Sequence, residues 1–555
     1  MDERRALAQI SRMESPPLIS IAMPVYNVER RWLMAAVDSV RRQFYPHWEL
    51  CIADDKSTRA ETLEALEALA REGDKRIKIC RLPQNIGIAG ASNAALEMAT
   101  GDYVGLLDND DELTRDALLE MAQRIVVEQP DLLYSDEDKL DESGAHVEVH
   151  CKPDFNPDYF FSINYLCHFA VIRRAHLQQI GGFRTGFDGA QDYDLLLRAS
   201  ESTDKIAHIP KVLYHWRRIA GSTASTSVAK PQTTEAGHRA LAESMQRRGI
   251  DSQVEPGPYP NTFRVRRTIH GDPLVSILIP FRDKPELLET CVSSILEKTR
   301  YGRYEILCID NGSIEAATHT AMRALEQRDP RVRFVRYQAP FNYSAINNFG
   351  AAQARGQHLL FLNNDTEIIS KEWLDSMLEH SQRPEVGVVG ARLLYADGSI
   401  QHAGVVVGPG GVAGHAHLFL PGDDPGYFAR VQLIQSLSAV TFACAMTRRE
   451  VFEQIGGLND QELKIAFNDI DYCLRARESG YLVVYTPYAL LHHYESKSRG
   501  YEDTPEKQTR FSKEVLYMQK RHAALLQRGD PYYNPQLSLT NCYQPNPHYA
   551  DELPL

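Results

Sequence analysis

The feature that most limits what this chain can fold into is an internal repeat of domain length. LISIAMPVYN, beginning at Leu18, returns as LVSILIPFRD, beginning at Leu274, 256 positions later. At the same offset WELCIADDKS answers to YEILCIDNGS, so that Asp54 pairs with Asp310. GDYVGLLDNDDEL answers to GQHLLFLNNDTEI at an offset of 255, which pairs Asp108, Asn109 and Asp110 with Asn363, Asn364 and Asp365. IGGF (180–183) matches IGGL (455–458), QDYDLLLR (191–198) matches NDIDYCLR (468–475), and Pro210 with His215 match Pro487 with His492. A period of this size is a duplicated domain, not a solenoid unit. The offset widens to 275 and then 277, predicting an insertion of about 20 residues in the second copy, most naturally in the glycine- and proline-punctuated run 404–426.

Each copy opens with a β-branched run, continues into a helical stretch, and returns to an apolar run that ends in acidic and turn residues. In 61–73 the helical period runs through Leu63, Leu66, Leu69 and Ala70 and stops at Gly73. Alternation of this kind predicts two tandem α/β domains, each Rossmann-like with a mostly parallel sheet and helices on both faces. Ligands of such sheets sit outside the carboxyl ends of the strands, where Asp54, Asp55 and the run Asp108 to Asp111 fall. The expected organisation is an N-terminal extension over 1–15, a first domain over 16–254, a proline-rich and basic linker over 255–272, a second domain over 273–500, and a helical extension over 501–555. In that extension Phe511, Val515, Met518, His522 and Leu525 form a stripe expected to pack on the second domain.

A formal charge of −13 argues against a broad nucleic-acid footprint, which needs a basic surface to displace counterions. Nine scattered cysteines with no C-x-x-C pair read as reduced thiols of a cytoplasmic protein. The charged start MDERRALAQI has no apolar core of a signal peptide, and no later run is long enough to span a membrane. The expectation is a cytoplasmic protein, at most peripheral on the inner face of the membrane.

The carboxylates of LLDND emerge at a strand tip, where acidic groups can hold Mg²⁺ or Mn²⁺ against a diphosphate. A lone acidic loop would say little; the same loop after the same strand in both copies points to a site. These residues resemble the family 2 glycosyltransferases, inverting enzymes of the GT-A fold. The likeness rests on PVYN (24–27), IADDKS (52–57), the DND triplet, GGF, QDYDLLLR and YHW in the first copy. In the second it rests on IPFRD, CIDNGS, FNYSAINNFGAA (341–352), LNND, NDIDYCLR and LHHYESKSRG. FNYSAINN and HHYESKSRG together look like the large, often tandem bacterial enzymes that assemble O-antigen, capsule and rhamnose-containing surface glycans.

The resemblance implies a nucleotide-sugar site built on Pro24, Tyr26, Asp54, Asp55 and Asp108 in the first copy and Pro280, Asp310, Asn311 and Asn363 in the second. It makes Asp110 and Asp365 the metal and diphosphate residues, with His215 and His492 near them, although His493 competes with His492. Asp192 and Asp469 take the place of the base that activates the acceptor hydroxyl, and one such carboxylate is all that an inverting transfer requires. Because Asp194 and Asp471 stand two residues on, helix capping remains an alternative for each pair. The copies differ where NND replaces DND and where Trp216 faces His493, which implies different donors or acceptors; Gln191 and Asn468 replace the family's usual glutamate. The implied cofactor is a divalent cation, and the implied partners are nucleotide-sugar donors, a glycan or lipid-linked acceptor and membrane-associated assembly machinery. A sugar-phosphate nucleotidyltransferase would need a glycine-rich phosphate loop, which PVYN and PFRD lack. A chain in which one copy only binds carbohydrate or serves as scaffold is the remaining alternative.

Overall fold

The computed structural model describes residues 3–218, 231–495 and 504–546. The end of the HHYESKSRG run, 496–500, lies outside the described residues. The chain divides into two compact units: Met1–Phe155 with Phe160–Val265, and Asn156–Tyr159 with Arg266–Leu555. The proline-rich stretch expected as a linker carries one edge of a two-stranded sheet, in which β10 (Ser252–Pro256) pairs with β11 (Phe263–Arg267).

The strands of unit 1 are β1 (Ile19–Val25), β2 (Trp48–Asp54), β3 (Ile77–Arg81), β4 (Tyr103–Leu106), β5 (Glu112–Leu113), β6 (Leu132–Leu140), β7 (His146–His150), β8 (Ala170–Arg173) and β9 (Ile206–Arg217). Their order is β3-β2-β1-β4-β8-β6-β9-β5, with β7 on β6. The main strands of unit 2 are β12 (Val275–Phe281), β13 (Tyr304–Asp310), β14 (Val332–Arg336), β15 (His358–Leu362), β16 (Thr366–Ile368), β17 (Val386–Leu394) and β18 (Ile400–His402), followed by β19 (Val405–Val407), β20 (Ala413–His415), β21 (Gln435–Leu437), β22 (Cys444–Arg448) and β23 (Leu482–His493). Their order, β14-β13-β12-β15-β22-β17-β23-β16 with β18 on β17, is that of unit 1 strand for strand. The duplication read from the sequence is therefore a duplication of topology.

Within each sheet the nucleotide-side half is parallel: β1 runs with β2 and β4, and β12 with β13 and β15. Parallel strands are covered by helices on both faces and so read as unbroken apolar runs, and β2, β12 and β13 are buried at every position. The other half turns antiparallel at β8 and β22. Helix Ala60–Glu72 buries Ala65, Leu66 and Leu69 and ends at Gly73, whose φ of 71° lies in the left-handed region that glycine adopts freely. A matched polar tie closes the base of each sheet. Glu49 accepts from the Ser20 hydroxyl (2.7 Å) and Thr100 N–H (2.6 Å), and Glu305 from the Ser276 hydroxyl (2.6 Å) and Arg355 N–H (2.7 Å).

The expected insertion folds as a small antiparallel hairpin, β19 on β20, with Val405 opposite His415. The helix Pro505–Arg521 of the C-terminal extension packs on unit 2 through Met518 and Val515, and the His522 imidazole bonds Asp471 at 3.0 Å. Among the described residues no helix is long and apolar enough to cross a membrane.

Candidate functional site

The carboxyl ends of the first strands carry the same construction in both units. Asp54 ends β2 and is buried; its Oδ1 accepts from Ser57 N–H at 3.0 Å, as Asp310 Oδ1 does from Ser313 N–H at 2.7 Å. The neighbours of these aspartates brace the loop that follows. Asp55 accepts from the N–H groups of Ile86 (2.7 Å) and Gly87 (3.0 Å), while Asn311 donates to the carbonyls of Tyr337 and Ala339. Pro24 accepts from the Asn109 side chain at 2.8 Å, and Tyr26 stands half exposed at the rim. Asn27 and Asp283, which the sequence did not single out, each clamp the opposite turn by accepting two backbone N–H groups.

In unit 1 the acidic run follows β4. Asp108 is exposed, Asp110 half-buried, and Asp111 buried with its carboxylate accepting from the Tyr214 hydroxyl (2.5 Å) and Arg217 N–H (2.8 Å). Burial, and then the charge of Asp108, push the Asp110 carboxyl up to about 6. Such crowding of like charges is what a cation or a bound proton relieves.

Two expected residues are not brought to these acids. His215 lies on the far face of β9, where its Nδ1 is 2.6 Å from Asp138 and its ring meets His146 edge-on. Because side chains alternate along a strand, the next residue, Trp216, takes the inner face. Its ring lies 4.3 Å from that of His168, the imidazole that does sit among the acids. Burial alone would lower His168, but Glu137, followed by Asp111 and Asp108, lifts it to about 9. Glu137 in turn receives the buried Lys152 ammonium at 3.0 Å.

In unit 2 the same alternation turns His492 away. Its Nδ1 bonds the Tyr395 carbonyl (3.1 Å) and its ring stacks near Tyr494. His493 is the inner residue, with Nε2 3.2 Å from Asp365 Oδ1 and 3.3 Å from the Asn363 amide nitrogen. The amide of Gln401 fixes its tautomer. Gln401 Nε2 donates to Glu495 (3.1 Å), so Oε1 faces His493 Nδ1 (2.7 Å), which then carries the proton. The lone pair of Nε2 is left toward a carboxylate, an arrangement that suits a shared cation, and a ligating histidine held by its other N–H is the usual form of such a site. Tyr343, from the FNYS run, steadies Asn363 from below with its hydroxyl at 3.2 Å.

The paired aspartates at the start of helices Gln191–Ala199 and Asn468–Glu478 divide their labour identically. The second of each pair is wholly buried in ion pairs: Asp194 with Arg184 and Arg198, Asp471 with Arg475 (2.7 Å) and His522. The first has no salt-bridge partner among the described residues. Asp192 accepts from the Asn164 amide (2.9 Å), and Asp469 from the N–H groups of Phe442 (3.2 Å) and Ile470 (2.9 Å). Neither aspartate occupies the N-cap, which is Ala190 in one helix and Phe467 in the other. Burial and the charge of Asp108 raise the Asp192 carboxyl, against the pull of His168. In unit 2 Pro280, Asn311, Asn363, Asp365, Asp469 and His493 all line one cavity of about 670 Å³.

Residues 20–181 and 276–456 match the profile of the family described as Glycosyl transferase family 2. The chain belongs to this family. Both matched stretches contain the strand-tip acids just described, and the two sheets are GT-A domains. Over 547 residues this chain is 48% identical to uncharacterized protein y4gI of Sinorhizobium fredii, covering 97% of this chain and 60% of that protein. It is 41% identical over 534 residues to the O-antigen biosynthesis protein RfbC of Myxococcus xanthus, covering 96% of this chain and 41% of that protein. The chain thus spans about half the length of these relatives. Among solved structures, S. aureus TarS in complex with UDP-GlcNAc matches at 22% identity and a TM-score of 0.35 over 41% of this chain and 66% of that one, a likeness too remote to bear on the site.

Proposed function

We propose that each unit is an inverting glycosyltransferase centre that moves a sugar from a nucleoside-diphosphate donor to a growing surface glycan, and that the two centres make different linkages. The observation that carries this is the unit 2 cavity, which gathers a nucleotide-side carboxamide, Asp365, His493 and Asp469 around one space. Asp54 and Asp310 hold the nucleotide base, with Pro24, Tyr26, Asp55, Asp108, Pro280, Asn311 and Asn363 around the nucleotide. Asp192 and Asp469 take the proton of the attacking hydroxyl, a role for which a carboxylate free of ion pairs is needed.

Asp365 with His493, and Asp110 in unit 1, would hold Mn²⁺ or Mg²⁺, which when bound offsets the charge gathering on the departing diphosphate. His493 replaces His492 in this assignment, because His492 faces away from Asp365, while His215 stands with Asp138 and His146, a group that could itself hold a cation, apart from Asp110. The identity to an O-antigen biosynthesis protein supports a surface glycan as product. Since sugar nucleotides and lipid-linked acceptors are presented at the cytoplasmic face, that is where the enzyme and its assembly machinery would meet.

The test is product analysis by mass spectrometry with Asp192→Asn and Asp469→Asn in the full chain, with and without EDTA. Each variant should lose one linkage, and the two mixed should restore the product. A variant that makes the full product at the normal rate would show its unit to be a carbohydrate-binding or scaffolding domain.

A further inference from the structure

Among the described residues the β19–β20 hairpin has no counterpart in unit 1, and what it brings to the unit 2 cavity is specific. His415, at its end, lines the cavity together with Asp469, His493 and Glu495. Behind it stands His402, fully buried, with the two Nδ1 atoms 2.9 Å apart. The hairpin is pinned from outside: Val407 N–H donates to Asp530 Oδ2 (2.9 Å), whose other oxygen receives the Ser438 hydroxyl (2.5 Å). The insertion and the C-terminal extension, both present only in the second copy, therefore support one another.

The contact between the two imidazoles fixes both tautomers. A backbone N–H, that of Thr441, points at His402 Nε2 (3.5 Å), so this nitrogen is the acceptor and the proton of His402 sits on Nδ1. That proton is donated to His415 Nδ1, which leaves His415 protonated on Nε2. Burial holds each imidazole below its usual range, so both rings stay neutral; for His402 neighbouring His415 and His493 add to the effect, while for His415 the carboxylates of Asp469 and Glu495 pull upward and burial, with His493, outweighs them. His415 thus offers the cavity a donor and never a base.

Unit 1 is built otherwise at this place. His150 holds the position of His402, opposite Glu137 as His402 is opposite Leu393, but the chain then runs directly to Lys152, whose ammonium is buried on Glu137. The carboxylates of Asp469 and Glu495 beside a neutral donor disfavour a phosphate or carboxylate ligand. Val405, Ala413 and Leu418 add an apolar wall suited to the C–H face of a sugar ring.

We propose that the hairpin forms an acceptor subsite of unit 2, in which His415 Nε2–H, oriented by His402, donates a hydrogen bond to an oxygen of an uncharged acceptor sugar whose hydroxyl is presented to Asp469. This rests on the reading of unit 2 as a transferase centre, and it makes His415 a specificity-determining residue that unit 1 lacks.

The experiment uses the full chain carrying Asp192→Asn, a panel of p-nitrophenyl glycosides as acceptors, and nucleoside diphosphate release to water as the acceptor-free reaction. His415→Ala should raise KM for the accepted glycoside up to about 10-fold, the scale of one neutral hydrogen bond, a larger effect than on release to water. His415→Gln, which keeps a side-chain N–H, should recover most of the loss. Long-range ¹H–¹⁵N spectra of histidine-labelled protein should show His415 protonated on Nε2 and His402 on Nδ1. The opposite tautomers, a charged His415 at pH 7, or an unchanged KM would overturn the proposal, and the tautomer spectra decide it without any acceptor. Transfer that persists in Asp469→Asn would instead overturn the reading on which it rests.

Discussion

Asp469 and Asp471 lie on one turn of one helix, yet their replacement by asparagine should have opposite consequences. Asp471 is wholly buried, and its carboxylate faces Arg475 at 2.7 Å and His522 at 3.0 Å. Arg475 is held in place from its other side, since each terminal nitrogen also donates to a carbonyl, one to Ile455 and one to Gly457. Neutralising one partner of a buried pair while the other stays costs about 3–5 kcal/mol. Among the described residues Asp469 has no such partner; asparagine keeps one of its two backbone contacts and gives up the other, a loss of about 1 kcal/mol. Its chemical loss is the larger one, a general base contributing roughly 10²- to 10⁴-fold, or about 3–5 kcal/mol of barrier. The assay is urea unfolding followed by circular dichroism, alongside nucleoside diphosphate release by unit 2 in the Asp192→Asn background. Asp469→Asn should unfold almost where the parent does and transfer almost nothing, while Asp471→Asn should unfold at markedly lower urea. Normal stability in Asp471→Asn, or a large loss of stability in Asp469→Asn, would refute this division of roles.

Other consequences follow from single contacts. Burial opposes ionisation of Glu49, but Lys78, Thr100 and Ser20 together bring its carboxyl down to about 2 from an ordinary 4.5. The folded value is depressed, so its stabilisation of about 3 kcal/mol is complete above the ordinary value and fades as pH falls toward 2; Glu49→Gln should flatten that part of the acid-unfolding curve. Mn²⁺ titration followed by electron paramagnetic resonance should show weaker binding at unit 2 in His493→Ala and unchanged binding in His492→Ala, with Gln401→Ala weakening it about 10- to 100-fold through loss of the histidine's orientation. Gly101→Ala and Gly356→Ala would each place a Cβ 2.6 and 2.5 Å from the carbonyls of Leu18 and Leu274, and since backbone cannot move aside cheaply, each should cost about 1–3 kcal/mol by thermal unfolding.

The sequence by itself determined the duplication, the α/β alternation and the carboxyl-end location of the acids, because these rest on local patterns repeated in order: apolar runs, turn residues and acids at constant spacing. The strand orders of the two sheets agree because matched runs have matched neighbours to pair with. The position of the insertion and the packing of the C-terminal stripe were legible for the same reason. Which of two adjacent residues enters a site was not. His492 and His493, or His215 and Trp216, differ by one step along a strand, and one step reverses the face, so only the pairing of β23 with β16 and of β9 with β5 decided it. Nor could spacing divide Asp192 from Asp194 or Asp469 from Asp471, since the cations that bind the second of each pair come from elsewhere in the fold as well as from one turn on. His168, Gln401, His402 and His415 are joined to their sites by contacts between distant segments, with no spacing to betray them. A hydrogen-bond tautomer or an unpaired carboxylate is a property of a packed neighbourhood, and the neighbourhood exists only once the sheets have closed around it.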